Sequence, residues 1–343
     1  MDTQNALQTT ERVRKDGEMG LQLADLDALV AEWLSYERTF NQVTDATVTT
    51  YHKGLQAFAG WLQENAGTTG TVTASTVAAF RDDLRGPEGA RRYSVQTVNV
   101  RLTAVRRFYA FLVNTDRIPF SPAGTVKGLR RANTRTTHKR DALTNGEVLG
   151  VLDTCDTGTL LGVRDLAMLT LFAYCGLRAI EVQRANVGDL RTRGDRLTLD
   201  VQGKGRRERD AFVVIPHDQE QPIRAWLTHR RTFAEHGKAA ALFVSLSNRN
   251  RGERLTLRAI RGIVKGRYHE AGVVGDGKST HSLRHSAITS AIRHGATPMQ
   301  VQSMARHSSF DTTLGYYHEV GRVDNPAEDA VEYETACVTR ATF

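Results

Sequence analysis

The sequence predicts a mainly α-helical protein of two domains, the second holding a small antiparallel β-sheet. Three observations lead there. Apolar residues recur at spacings of three and four through much of the chain, the period of a helix with one buried face. Residues 197–201 and 211–215 break that period, since they alternate or run apolar and are rich in β-branched side chains, as strands are. Between residues 117 and 140 the helical pattern lapses into a basic stretch with Pro119, Pro122, two Gly and several Thr, which divides the chain.

Residues 1–20 are polar and aperiodic, and are expected to form a flexible N-terminal arm. A helical domain follows over residues 21–116. Its first helix carries Leu23, Leu26, Leu29, Val30, Trp33 and Leu34 on one face. A second, from about Ala46 to Gln63, places Val48, Tyr51, Leu55, Phe58 and Leu62 on one stripe. A third, about Ser75 to Leu84, has Thr73 as a candidate N-cap and ends before the Gly86-Pro87 break. The fourth, about Ser94 to Val113, buries Val98, Leu102, Val105, Phe108, Tyr109 and Leu112, and turns Arg101, Arg106 and Arg107 the other way. A four-helix bundle with a basic face results.

Residues 117–140 contain Arg117, Lys127, Arg130, Arg131, Arg135, Lys139 and Arg140 and no acidic residue. A solvated linker usually mixes signs, so the reading preferred here is a linker that tracks along phosphates. Such contacts supply affinity rather than sequence discrimination.

A second domain is expected over residues 141–321. Thr144 and Glu147 have the spacing of a capping box. Helices are expected at about 145–154, 160–175, 219–235, 256–271, 282–294 and 298–305, with the two strands between the second and third of them. Residues 322–343 form a C-terminal tail, acidic over 319–334, where six Asp or Glu face one Arg.

The composition bounds the function. The 343 residues are 40% hydrophobic and 24% charged, the mix of a soluble globular protein, with no apolar run near the roughly 20 residues of a membrane span. The polar start, Met1-Asp2-Thr3-Gln4, lacks the apolar stretch of a secretion signal, so a cytoplasmic location is expected. A formal charge of +8 favours a polyanionic partner, of which nucleic acid is the commonest. Cys155, Cys175 and Cys337 have no metal-ligand spacing.

The polar residues of the second domain are ordinary one by one. Arg178 closes an apolar helix and has Glu181 for a partner, Lys204 sits between two glycines at a hairpin tip, and His281 and Arg284 share a helix face. His307 and Tyr316 lie nine residues apart across a Ser- and Thr-rich turn. Together they have a common use. Two arginines can clamp the non-bridging oxygens of a phosphate. Two histidines can donate hydrogen bonds or move protons near neutral pH, and a lysine on a mobile turn can protonate a leaving oxygen. A tyrosine hydroxyl can attack phosphorus. Phosphoryl transfer needs positioning and charge neutralisation, and this set offers both without a metal. No carboxylate cluster suited to Mg²⁺ and no Gly-rich phosphate loop accompanies it, so no metal or cofactor is expected.

Gly176-Leu177-Arg178-x-x-Glu181, Gly203-Lys204-Gly205, His281-x-x-Arg284-His285 and Arg306-His307-Ser308-Ser309 followed by Thr312-Thr313-x-x-Tyr316 resemble, in order and separation, the signature of the tyrosine recombinase (phage integrase) family. The first domain resembles that family's core-binding domain. The resemblance implies that Arg178 and Arg284 clamp the scissile phosphate, that Lys204 protonates the leaving 5′-oxygen, that His281 and His307 assist, and that Tyr316 forms a 3′-phosphotyrosine link. Glu181 would support the arginine helix. It further implies double-stranded DNA as substrate, and a homotetramer on two DNA sites that works through a Holliday junction without ATP or metal. Integrase or dimer resolvase of a mobile element are the expected uses, with accessory DNA-bending or directionality factors as candidate partners. Arg101, Arg106, Lys127, Arg130, Arg131, Arg135, Lys139 and Arg140 are the candidate DNA contacts, with Arg258 and Arg261 as further ones.

Two departures stand out. The family often has Leu-Gly-His where this chain has Ala305-Arg306-His307, and Tyr317 follows Tyr316 as a rival nucleophile. The tail is either a solvated end or a segment exchanged between protomers. A type IB topoisomerase would share the same chemistry without a second DNA site, and a regulator would keep the fold without the catalysis.

Overall fold

The computed structural model describes residues 23–65, 72–87, 92–130, 142–203, 208–236, 240–275, 277–324 and 329. The chain forms two compact units, Met1–Asn133 and Thr134–Phe343. The expected arm, residues 1–20, lies outside the described residues.

The first unit holds four helices: α1 (Leu23–Thr39), α2 (Asp45–Asn65), α3 (Ala74–Arg85) and α4 (Val95–Asn114). Thr73 caps α3 by accepting from the Thr76 amide, and Ser94 caps α4 from Thr97, so orphan amides at both starts are satisfied. Trp33, Leu55, Phe58, Val77, Phe80, Leu102, Phe108 and Leu112 form one apolar core. Helices α2 and α4 cross closely at Gly54, where a Cβ would stand 2.8 Å from the Cβ of Ala104. Only glycine fits that crossing without moving a backbone.

The basic face expected on α4 is partly spent inside the unit. Arg107 donates to both oxygens of Glu37, a carboxylate only 1% exposed, so it neutralises a buried charge. Arg101 lies over the Tyr93 ring at 4.0 Å. Arg106 is half-buried.

The stretch expected as a linker also divides. Its described part, residues 117–130, packs on the helical core: Ala123 and Val126 are buried, and Asn99 holds Leu129 through both the amide and the carbonyl. Arg117 finds the acidic partner its own stretch lacks, pairing with Glu32 of α1 at 2.7 Å. Lys127 and Arg130 are exposed, and Arg131, Arg135, Lys139 and Arg140 lie outside the described residues.

In the second unit, α5 (Asn145–Asp153) opens with the expected capping box, Thr144 accepting from the Glu147 amide while Glu147 accepts from the Thr144 amide. Helix α6 (Leu160–Cys175) is largely apolar, is buried over most of its length and runs through the core, against α8 (Glu220–Arg230) and α10 (Thr280–Arg293). Between α7 (Ala179–Arg184) and α8 lies an antiparallel sheet of three strands in sequence order: β1 (Leu190–Arg193), β2 (Arg196–Val201) and β3 (Ala211–Val214). The register pairs Leu190 with Leu199 and Val201 with Ala211. Leu197, Leu199, Val201 and Val213 enter the core, while Phe212 and Val214 face out. The sheet therefore has one strand more than expected. Helix α9 (Leu257–Glu270), α11 (Pro298–Ala305) and α12 (Phe310–Asp324) complete the unit. α12 takes in Asp324, within the expected tail, and pairs it with Arg293 at 2.7 Å.

A buried ion triad ties three of these helices. Asp165 on α6 accepts from its neighbour Arg164 through one oxygen and from Arg267 of α9 through the other, and Arg267 also donates to the Thr154 carbonyl at the end of α5. All three charged residues are at most 9% exposed. Removing one member strands the others in a low-dielectric setting. Asp165→Ala is expected to destabilise this unit by about 3–5 kcal/mol, read as a drop in the chemical-denaturation midpoint. A midpoint unchanged from wild type would contradict it.

Candidate active site

The site is built where α6 ends. Gly176 closes that helix in the left-handed region, φ 58°, which glycine adopts without penalty. The chain turns through buried Leu177, and Arg178 becomes the residue before α7. Glu181, three residues on, reaches back to the Arg178 amide at 2.7 Å and to its guanidinium at 2.9 Å. The side chain of Glu181 is fully buried.

Helix α10 brings the second arginine. His281, Arg284 and His285 fall at spacings of three and four, on adjoining positions of one helical surface. Arg284 is 1% exposed and donates to the carbonyls of Gly176 and Ala305, which fastens α10 to the ends of α6 and α11. Burial, with Arg178 and Arg306 nearby, pushes its pKa down to about 9.

The end of α11 brings the third. The His307 amide bonds the Gln302 carbonyl and the Arg306 amide bonds Ser303, a Schellman closure with Arg306 at its left-handed residue, φ 53°. A side chain there costs about 1–2 kcal/mol. The guanidinium of Arg306 turns inward to Glu181, 2.7 Å to one oxygen and 3.2 Å to the other, and also donates to the carbonyls of Gly176 and Met304. Its own carbonyl accepts from Arg178 at 3.3 Å. Burial opposes ionisation of Glu181, yet Arg306 and then Arg178 hold its carboxyl below the usual range. Arg178, Arg284 and Arg306 thus carry three positive charges, of which Glu181 neutralises one.

Tyr316 lies on α12, nine residues past His307. It is 4% exposed, and its hydroxyl is 2.5 Å from Nδ1 of His285. The His307 ring stacks on it at 5.7 Å and is itself held 3.0 Å from the hydroxyl of buried Thr313. His281 lies edge-on to His285 at 5.0 Å. Burial pushes the Tyr316 phenol up to about 12, against the pull of Arg284. Tyr317 points elsewhere, donating to the Ala296 carbonyl. The twist of about 100° per residue separates the two phenols.

Arg178, Glu181 and Arg284 thus meet at the end of α11, and Tyr316, in contact with His307 and His285, lies within electrostatic reach of Arg284 and Arg178, with His281 joining through His285. Lys204 lies outside the described residues, although the strands on either side pair as a hairpin and Arg184 of α7 donates to the Gly203 carbonyl at 2.9 Å. Sequence reasoning did not give a role to His285, Thr313 or Arg306. The signal for His285 was its spacing of four from His281. Arg306 stood out only as a departure from the family's Leu-Gly-His, and its partner Glu181 is 125 residues away.

Arginines pressed together away from water gain from taking up an anion, and a phosphodiester offers two oxygens to guanidinium donors. The arrangement therefore suits phosphate, with a hydroxyl nucleophile standing beside it.

Comparisons with known proteins identify the family. The phage integrase family model matches residues 141–321, and the model of its N-terminal SAM-like domain matches residues 30–116. The tyrosine recombinase XerD of Lacticaseibacillus casei is 27% identical over 296 residues, 85% of this chain and 94% of the relative. Among solved structures, the XerH site-specific recombinase bound to palindromic difH substrate in a post-cleavage complex superposes with a TM-score of 0.72 at 17% identity, over 91% of this chain and 97% of that one. A lambda integrase tetramer bound to a Holliday junction gives a TM-score of 0.61 at 14% identity, over 90% and 80% of the two chains. The two matched regions place this chain in the phage integrase family, as a tyrosine recombinase.

Proposed function

We propose that the chain recombines duplex DNA at a specific site through a 3′-phosphotyrosine at Tyr316. The observation that carries this reading is the position of Tyr316, buried beside His285 and His307 and within the electrostatic reach of Arg284 and Arg178. Arg178 and Arg284 take the non-bridging oxygens of the scissile phosphate. Arg284 has five N–H donors, so it can keep its two carbonyl contacts and still reach phosphate. The Tyr316 oxygen attacks phosphorus, the bond to the 5′-oxygen breaks, and Lys204 protonates that oxygen. His281 and His307 donate to the phosphate as charge builds. The phosphodiester energy stays in the tyrosyl ester until a 5′-hydroxyl from a partner duplex attacks it.

Action as a homotetramer on two sites through a Holliday junction rests on family membership, as does use by a mobile element as integrase or resolvase. The domain division proposed is a helical DNA-binding unit and a catalytic unit over residues 141–321, which are the limits of the family match. A DNA substrate places the protein with the nucleoid, and no helix among the described residues is long and apolar enough to cross a membrane.

The test is covalent capture. The protein is incubated with nicked duplexes from a random-sequence pool, without ATP and with a metal chelator, then denatured in detergent. A DNA–protein adduct is expected; its absence over the whole pool would overturn the reading.

The exposed cations Lys127 and Arg130 of the first unit, and Arg258 and Arg261 on α9, are the proposed phosphate contacts among the described residues. Each phosphate contact contributes about 0.9 to the slope of log affinity against log salt. Lys127→Ala with Arg130→Ala should lower that slope by about 2 for a 30-base-pair duplex, measured by fluorescence polarisation between 50 and 200 mM salt. An unchanged slope removes both residues from the interface.

A further inference from the structure

We infer that Arg306 is a positioning residue for strand cleavage: it neutralises Glu181 and so leaves the charge of Arg178 available to the scissile phosphate. The inference rests on the recombinase reading above and assigns this residue a part in it.

The need for such a group follows from the site itself. Glu181 is buried and takes Arg178 by both its amide and its guanidinium, so these two alone would form a closed, neutral pair. A guanidinium locked to a carboxylate has less to offer a phosphate, because the two anions compete for the same donors. Arg306 changes that balance. It meets both oxygens of Glu181 with Nε and Nη2, the paired geometry in which guanidinium binds carboxylate most strongly. Glu181 is then shared between two cations.

The backbone of the same residue acts on Arg178 from the other side. The carbonyl of Arg306 accepts from Arg178, and the preceding carbonyl, of Ala305, accepts from Arg284. These belong to the end of α11, where carbonyls lack partners within the helix and carry the negative end of its dipole. One helix end therefore holds both clamp arginines, and its closing residue supplies the counter-charge for Glu181.

Capping does not account for an arginine here. The closure of α11 calls for a left-handed residue, which glycine provides without strain and arginine does not. Nor is the side chain solvated, since it is 9% exposed and its donors go to Glu181 and to two carbonyls. The residue is disfavoured by its backbone and retained by its guanidinium.

The test uses the full chain and the duplex that the wild-type protein captures most from the random pool. Single-turnover capture is measured for Arg306→Gly, Arg306→Lys and the double variant Arg306→Gly with Glu181→Gln. Arg306→Gly fits the backbone, and its loss of capture is expected to be on the order of tenfold or more. Arg306→Lys keeps a cation beside Glu181 and should stay closer to wild type. The double variant removes the carboxylate charge that Arg306 answers, so it should regain most of the lost rate. A purely structural role would give no such rescue. Capture by Arg306→Gly at the wild-type rate, or a double variant no faster than Arg306→Gly, overturns the inference while leaving the recombinase reading intact. If Arg306→Gly does not fold, a rate for Arg306→Lys as low as that of Arg178→Ala overturns it equally. Failure of the wild-type protein to capture any duplex rejects the recombinase reading itself, and this inference with it.

Discussion

Tyr316→Phe is expected to abolish covalent capture of DNA and to leave both units folded. The substitution removes one oxygen, the atom that would bond to phosphorus, and keeps the ring that packs against His307 and the α10–α11 cluster. Its structural cost is the hydrogen bond to His285, a group only 7% exposed. Leaving such a partner unsatisfied costs about 1–3 kcal/mol, or a few degrees in the unfolding midpoint of a unit this size. That is too little to unfold it at room temperature. The control is Tyr317→Phe, which loses only a bond to the Ala296 carbonyl and should capture DNA like the wild type. Capture retained by Tyr316→Phe and lost in Tyr317→Phe would move the nucleophile by one residue. The resting phenol needs a proton acceptor, because burial pushes it up to about 12 and it is neutral near pH 7. Nδ1 of His285 is in contact with it and can take that proton in the tautomer that leaves Nδ1 unprotonated.

Arg284→Ala should damage catalysis and fold together, and by large amounts. Its guanidinium is the cross-link between Gly176, at the end of α6, and Ala305, at the end of α11. Deletion takes the Arg284 donor from the Ala305 carbonyl, leaves the Gly176 carbonyl with Arg306 alone, and empties the volume of a side chain in a residue only 1% exposed. A loss of about 2–5 kcal/mol follows, roughly 10 °C in the unfolding midpoint. Capture should fall further than this explains, by about 10²–10³ at a temperature where the variant is folded, since one clamp on the phosphate is gone. Arg284→Lys separates the two effects. It keeps a charge but cannot span two carbonyls and a phosphate, so it should recover stability more than rate. Equal recovery of both would mean that the charge alone mattered.

The sequence showed most of this architecture because its helices are amphipathic and their starts are chemically marked. Thr73 and Thr144 cap the helices expected of them, with Glu147 answering Thr144. β1 was not legible, because Leu-Arg-Thr-Arg is an edge strand with one half-buried residue and three exposed ones, so neither alternation nor β-branched content marks it. α7 is six residues long, too short for a helical period to register. The helix that carries Tyr316 was read as a turn, since Ser308, Ser309, Thr312 and Thr313 mask its start. Motif spacing singled out Arg178, Arg284, His307 and Tyr316 as candidates. It could not show that Arg107 is spent on Glu37, that Arg117 pairs with Glu32, or that Arg306 faces Glu181. Each of those pairings joins residues 70 or more positions apart, which no local pattern encodes.

The most direct test of the account is to identify the bond between protein and DNA. The adduct formed on the captured duplex is digested with trypsin and nuclease, and the modified peptide is sequenced by mass spectrometry. The account predicts one nucleotide joined through its 3′-phosphate to Tyr316. Attachment through a 5′-phosphate, or to any other residue, Tyr317 included, would contradict it.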